Sequence, residues 1–190
     1  MGAPKSLLDY RGVPLLIYIY NRLAPLFAEV LVSVSSQESI PRELERARVV
    51  VDGYPGRGPI AGIAAGLRAA SYDAVFVSAC DIPTLHEELI LDMLGLAAEY
   101  DAVVPRTPDG LLEPLHAVYK RSLLPQVVGL IEGGERRIRM LYDTVNTCYK
   151  DLSVDQDLMN INTPEEYRSI LTTGWPGPGE ESSGGKTQDQ

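Results

Sequence analysis

Residues 72–81, YDAVFVSACD, constrain the fold more than any other stretch of this chain. The segment is apolar at nearly every position and closes on Asp81. A strand covered on one face alternates apolar and polar residues, whereas a strand covered on both faces does not. The run therefore predicts a strand in the middle layer of a three-layer structure. Its terminal carboxylate then projects into a crevice beyond the sheet rather than into the core.

Three further runs read as strands: EVLVSVS at 29–35, RVVVD at 48–52 and DAVVPR at 101–106. Helical patterns separate them, GVPLLIYIYNRLAPLF at 12–27, GPIAGIAAGLRAA at 58–70 and PTLHEELILDMLGLAAEY at 83–100, with a short helical crossover through PRELERA. This alternation predicts a Rossmann-like α/β domain, three-layer α/β/α, with a mostly parallel central sheet. Ligands of such sheets bind beyond the carboxyl ends of the strands, so polar residues at strand ends are informative.

After Arg106 the rhythm changes. TPDG at 107–110 is a turn, and LLEPLHAVYK at 111–120 contains a strand. A helix follows over 121–134, interrupted or kinked at Pro125, then a short helix at 135–143, a strand at 144–152 and an extended segment at 158–162. The last helix starts in TPEEYRSILTT, with Asn162 or Thr163 as cap and Pro164 in its first turn. Residues 1–173 thus read as one domain. The remainder, GWPGPGEESSGGKTQDQ at 174–190, has only Trp175 to bury and is expected to be a disordered tail.

The formal net charge of -9 argues against general affinity for nucleic acid, which needs a basic face. No apolar run is long enough to span a bilayer, and MGAPKSLLDYRG lacks a signal peptide's apolar core. A cytoplasmic protein is expected. Cys80 and Cys148 have no ligand spacing and read as buried thiols rather than a zinc site or disulfide scaffold. An acidic protein binds a phosphorylated small molecule locally, through backbone N–H groups, a few basic side chains or a metal.

Asp81 is the first candidate for that chemistry, because Mg²⁺ favours one or two protein carboxylates together with phosphates and waters. The plain alternative is a carboxylate that ends a strand and caps a helix. Asp52 also ends a strand and leads into GYPGRGPIAG. Glycines there permit close backbone approach, and the helix start offers N–H groups and a positive dipole end. It is neither a Walker motif nor a dinucleotide fingerprint. Lys5 precedes a helix and could neutralise phosphate, though a lysine there is commonly just solvated. Glu113 and His116 in EPLHAVY suit a second-substrate wall, and a satisfied, structural histidine fits equally well. Arg136, Arg137 and Arg139 in GGERRIR concentrate positive charge suited to an anion. Asn160 and Asn162 in NINTPEE share a face if extended, beside another helix start. No serine or cysteine nucleophile is paired with a histidine, which suits phosphoryl or nucleotidyl transfer, driven by positioning and charge neutralisation.

MGAPKSLLDYRGVPLL, VVDGYPGRGPIAGIAAGL, FVSACDIPTL, EPLHAVY, GGERRIR and NINTPEEY occur in this order. As a set they resemble the molybdenum cofactor guanylyltransferase family over residues 1–172. The resemblance implies a Rossmann-like nucleotidyltransferase that transfers GMP from GTP to molybdenum-bearing molybdopterin, releases pyrophosphate and uses Mg²⁺. It implies nucleotide contacts for Lys5, Ser33, Asp52 and Asp81, catalytic roles for Lys5 and Asp81, and Asp81 as the metal ligand. Ser33 stands where some members have an asparagine. Glu113, His116, Arg136, Arg137, Asn160 and Asn162 are the expected second-substrate residues. The implied partners are GTP and molybdopterin, with transient contacts to cofactor-delivery or molybdoenzyme-maturation proteins. The alternatives are CTP as donor, a sugar phosphate as acceptor, or nucleotide binding without turnover.

One departure concerns the start. The family begins with an apolar strand and a glycine-rich loop ahead of the element that this sequence opens on. That strand lies inside the sheet, so its absence predicts a gap in the core and unmet backbone hydrogen bonds. An upstream start is the expectation.

Overall fold

The computed structural model describes residues 8–10, 12–35, 44, 47–153, 156, 158, 161, 163 and 166–168. The chain first turns through a small hairpin, β1 (Asp9–Tyr10) against β2 (Val13–Pro14), with Gly12 at φ 85° in the turn. Helix α1 (Leu15–Leu23) follows, then β3 (Leu31–Val34) and β4 (Arg48–Val51). Next come α2 (Pro59–Ala69), β5 (Ala74–Ser78), α3 (Glu87–Leu96), β6 (Ala102–Arg106), β7 (His116–Lys120), α4 (Leu124–Glu132) and β8 (Thr147–Asp151).

Among the described residues the main strands form two sheets. β3 and β4 pair in parallel, and a four-stranded sheet has the order β5-β7-β6-β8. β7 is antiparallel to both its neighbours, while β6 and β8 are parallel, so β5, β6 and β8 share one direction. The two sheets are aligned by Glu29, which lies just before β3. Its carboxylate accepts hydrogen bonds from the Ser71 backbone N–H at 2.8 Å and the Ser71 hydroxyl at 3.0 Å, just before β5, and it pairs with Arg48 at the start of β4. The amino-terminal ends of β3, β4 and β5 therefore lie together. Of these strands only β7 runs against the common direction.

Helices cover both faces. On one face α2 and α4 bury Ile63, Leu67, Val127 and Ile131 against Ala117 and Tyr119. On the other, α3 buries Leu89 and Met93 against Val103 and Val118. α1 reaches across: its Ile17 packs with Val32 and Val34, while Leu15 and Ile19 pack in a cluster with Ile90 and Phe76. α2 touches β3, β4 and β5 alike. Between β3 and β5, under α1 and over α2, lies a mainly apolar cavity of about 770 Å³.

Local chemistry trims the sequence-predicted elements. α1 starts at Leu15 because the hairpin takes residues 9–14. α3 starts at Glu87, after His86, whose backbone is extended at φ -94° and ψ 100°. Pro125 does not kink a helix. A 3-10 turn at Arg121–Leu123 comes first, and Pro125 then falls in the first turn of α4, where its missing N–H costs nothing. The short helix predicted at 135–143 is a single 3-10 turn at Ile138–Leu141. Cys80 and Cys148 form no disulfide and are partly rather than fully buried, each lying near the end or edge of its strand. Most of PRELERA and residues 174–190 lie outside the described residues.

The Glu29 clamp is testable. The Ser71 backbone N–H, foremost, holds its carboxyl below the usual range. Glu29→Ala removes a charged acceptor of two hydrogen bonds and is expected to cost about 2 kcal/mol of unfolding free energy. A urea midpoint equal to that of the parent chain would count against the clamp.

Candidate functional site

The carboxyl ends of β3, β4 and β5 carry the nucleotide-side candidates. Ser33 is the third residue of β3, on the side of α2. A methyl group at Gly62 would sit 3.3 Å from its hydroxyl oxygen, so the small residue keeps helix and strand close there. Asp52 follows β4 directly, and its N–H bonds the Val34 carbonyl at 2.9 Å, extending the β3–β4 ladder. The Asp52 side chain is therefore delivered at the sheet edge by the last backbone bond of the pair. Asp81 is half-buried, three residues beyond β5, and lines the mouth of the same cavity as Ser33.

The loop after Asp52 is shaped by glycine. Gly56 and Gly58 hold φ of 73° and 72°, in the left-handed region that side chains disfavour. Gly58 caps α2 without any side-chain hydrogen bond; Pro59 has no N–H and the Ala61 N–H bonds the Gly58 carbonyl at 3.0 Å, so what the helix start offers an anion is chiefly the positive end of its dipole. Arg68, in the last turn of α2, donates to the Tyr54 hydroxyl at 3.2 Å and lies 5.7 Å from that ring's centroid. This contact ties the loop to the helix. No local pattern signals it, because the partners lie far apart in the chain on different elements.

The NINTPEE segment meets Asp81 through the backbone. The Ile161 N–H donates to the Asp81 carbonyl at 2.9 Å, and Ile161 is fully buried. Thr163 and Glu166 then bond reciprocally, Glu166 Oε2 accepting from the Thr163 N–H at 2.8 Å and Thr163 Oγ1 from the Glu166 N–H at 3.1 Å. That is a capping box, with Thr163 as the cap. Lys5, Asn160 and Asn162 lie outside the described residues.

A second group gathers beside the start of α2. Pro59 and Ile60, Pro114 and Leu115, and Arg136 through Arg139 enclose a cavity of about 210 Å³. Three motifs far apart in sequence meet there. Glu113 sits next to Pro114, its N–H bonded to the Pro105 carbonyl at 3.0 Å. The buried Tyr119 hydroxyl donates to the Pro114 carbonyl at 2.9 Å, and Tyr142 lies 2.8 Å away as the remaining donor to Tyr119. Burial, first of all, raises both phenols well above their ordinary value, so the pair stays protonated and holds the Glu113–Leu115 turn in place.

The arginines divide their work. Glu135 accepts from the backbone N–H groups of Arg136 and Arg137, and from the Arg137 Nε and Nη2, each at 3.0 Å. Arg137 foremost lowers the Glu135 carboxyl to about 2. The Arg137 guanidinium is thus held by Glu135, whereas Arg136 is exposed and forms no ion pair among the described residues. Of the two, Arg136 is the cation left for an incoming anion.

His116 has no exposed surface. Its ring stands edge-on to Phe76, centroids 5.0 Å apart, and neither ring nitrogen has a hydrogen-bond partner. Burial, foremost, lowers its pKa to about 3, with a smaller contribution from His86. The imidazole is neutral at physiological pH and lies behind Glu113–Leu115 rather than at their surface. No group of three or more His, Cys, Asp or Glu converges among the described residues. Mg²⁺ does not require one: strand-end carboxylates such as Asp81 and Asp52 are hard oxygen donors of the kind it takes beside phosphate oxygens and water. No described helix is long and apolar enough to cross a membrane.

Residues 1–147 match the family model for the MobA-like NTP transferase domain. The chain is 32% identical over 174 residues to the molybdenum cofactor guanylyltransferase of Vibrio atlanticus (strain LGP32), covering 90% of this chain and 88% of that one. It is 33% identical over 180 residues to a probable molybdenum cofactor guanylyltransferase of Methanothermobacter thermautotrophicus, covering 88% and 91%. Among solved structures, molybdopterin-guanine dinucleotide biosynthesis protein A from Archaeoglobus fulgidus superposes with a TM-score of 0.76 at 25% identity, covering 90% of each chain. The 2-C-methyl-D-erythritol 4-phosphate cytidylyltransferase of Thermus thermophilus gives 0.70 at 19% identity, covering 90% of this chain and 93% of that one, a likeness of fold.

The buried imidazole has a pH signature. A histidine whose pKa falls from 6.5 to about 3 on folding binds its proton more readily in the unfolded chain. Its contribution is complete above pH 6.5 and is lost as pH falls toward 3, at up to about 1.4 kcal/mol per pH unit. His116→Leu is expected to keep full stability at pH 7 and to lose roughly 2–3 kcal/mol less than the parent between about pH 7 and about pH 4.5. Urea denaturation at both pH values measures this, and equal losses in the two proteins would contradict it.

Proposed function

The chain belongs to the MobA-like NTP transferase family, and on that premise we propose that it transfers GMP from GTP to molybdenum-bearing molybdopterin. Nucleotidyl transfer is the reaction class of the family. The observation that carries the finer reading is the joint placement of Asp52, Asp81 and the uncapped start of α2 at one end of the sheet, beside the small arginine-rimmed cavity.

In this reading the terminal phosphate of molybdopterin attacks the α-phosphorus of GTP. A phosphorus–oxygen bond to the pterin forms, the bond to the β-phosphate breaks, and pyrophosphate leaves. The chain supplies position and charge. The positive end of the α2 helix dipole faces the phosphates. Lys5 adds positive charge, and Asp52 and Ser33 hold the nucleoside. Asp81 is the ligand for Mg²⁺. When bound, Mg²⁺ neutralises charge on the phosphate oxygens. Arg136 attracts the anionic acceptor, while the Tyr119–Tyr142 pair keeps Glu113 in register with it. Asn160 and Asn162 are assigned to the acceptor side as the sequence neighbours of Ile161, whose N–H bonds the Asp81 carbonyl. The neutral His116 needs no proton-transfer role.

Two substitutions separate the halves of the site. Asp81→Asn removes charge with little change of shape. It is expected to abolish Mg²⁺-dependent pyrophosphate release while leaving the thermal midpoint nearly unchanged; normal turnover would refute the assignment. Arg136→Ala is expected to raise the KM for molybdopterin about tenfold, the equivalent of about 1.4 kcal/mol, with the KM for GTP unaltered. A rise in the KM for GTP instead would move Arg136 to the nucleotide side. Labelled GTP and CTP, each offered with molybdopterin and Mg²⁺, test the donor, and exclusive use of CTP would overturn guanylyl transfer.

A further inference from the structure

Among the described residues, His116 is the one buried side chain whose hydrogen-bonding capacity goes unused. It has no exposed surface, and neither ring nitrogen has a partner. A neutral imidazole carries one N–H donor and one bare acceptor nitrogen, and burying them unpaired costs free energy. Such a group marks either strain that the fold tolerates or a bond made in another state of the protein.

Strand register shows what covers the ring. His116 opens β7 opposite Ser78, the last residue of β5, and the Ala79 N–H bonds the Leu115 carbonyl at 2.9 Å. The chain leaves the sheet there and runs through residues 80–86 to α3. Ala117 and Tyr119 pack toward α2 and α4, whereas Val118 packs with Leu89 and Met93 of α3. Alternation along β7 therefore turns His116 toward the α3 side. Its ring stands edge-on to Phe76, and Phe76 packs in the clusters that hold Ile82 and Leu85. His86, just before α3, is near enough for its charge to bear on the ring. The segment that carries Asp81 is thus the cover over His116.

That cover has a backbone donor to offer. Ile82 and Leu85 are buried, and among the described residues neither N–H makes a backbone hydrogen bond. Both ends of the segment are held: the Asp81 carbonyl accepts from Ile161 at 2.9 Å and the His86 carbonyl from Ile90 at 3.0 Å. A trans peptide points its N–H away from its carbonyl. With the Asp81 carbonyl turned to Ile161, the Ile82 N–H points to the opposite side, and it is the unused donor next to Asp81. The ring is neutral at physiological pH, so its bare nitrogen can accept.

We propose that His116 is a positioning residue for Asp81: in the nucleotide-loaded state, residues 80–86 settle onto the sheet and the Ile82 N–H donates to a His116 ring nitrogen. Ile161 then holds the Asp81–Ile82 peptide from one side and His116 from the other. His116 acts on the nucleotide side, through the chain, and touches no acceptor. The inference rests on Asp81 as the carboxylate that faces the nucleotide.

Nitrogen-15 spectra of the ring test it in the 190-residue chain. In the free chain the bare nitrogen is expected to resonate as an unbonded one, and to move upfield on saturation with GTP and Mg²⁺ as it accepts a bond. Slowed amide exchange in the loop after Asp52 reports saturation separately. Absence of any nucleotide binding overturns both readings, whereas an unmoved ring in a saturated chain overturns only this one. His116→Leu and His116→Gln separate positioning from packing. Leucine suits the apolar surroundings but accepts no bond, while glutamine can accept one. By calorimetry, His116→Leu is expected to weaken GTP binding in Mg²⁺ about tenfold and His116→Gln to recover most of the loss. The Ile82 amide is expected to be protected by nucleotide in the parent chain and not in His116→Leu. A merely structural histidine gives the reverse order, with leucine equal to the parent and glutamine weaker. That order, or a ring nitrogen already bonded in the free chain, also overturns the proposal.

Discussion

The common direction of β3, β4 and β5 is the constraint on which the site depends. Parallel strands deliver their carboxyl ends to one edge of a sheet, and only then do Ser33, Asp52 and Asp81 face one region. Three contacts impose that direction: the β3–β4 ladder, the packing of α2 across all three strands, and the Glu29 carboxylate that joins the starts of β3, β4 and β5. The chemistry at one end of the sheet is thus registered by an ion pair and two hydrogen bonds at the other.

The second half of the site rests on a different principle. β7 runs against its neighbours, so the turn before it, Glu113–Leu115, comes to the same side as the start of α2. A buried tyrosine pair fixes that turn, and Glu135 fixes the backbone of Arg136 and Arg137. Positive charge is held in an otherwise acidic protein by local carboxylate bonding rather than by a general basic surface. In the proposed reaction an anionic acceptor meets a cation in one narrow place, next to the start of α2.

Much of this is legible in the residues. The unbroken apolar run at 74–78 announces a strand covered on both faces, and the strand-end positions of Asp52 and Asp81 follow from it. Glycine and proline mark the start of α2, and Thr163 marks the cap of the last helix. Other features are not legible, for physical reasons. Whether Pro125 kinks a helix or begins one depends on a 3-10 turn that periodicity does not encode. A histidine in a strand reads the same whether it faces a substrate or Phe76. Tyr119 with Tyr142, and Arg68 with Tyr54, are tertiary pairs with no local signature. The division between Arg136 and Arg137 depends on Glu135, whose bonding is decided by the turn it sits in.

A nucleoside triphosphate bound where β4 and β5 end and α2 begins would cover the backbone of both strand-end loops. Backbone amide exchange of the chain, with and without GTP and Mg²⁺, tests this most directly. The expected result is slowed exchange across Gly53–Gly62 and Ala79–Thr84, lost when Mg²⁺ is chelated. Slowed exchange confined to Glu113–Arg139, or no change at either segment at saturating nucleotide, would contradict it.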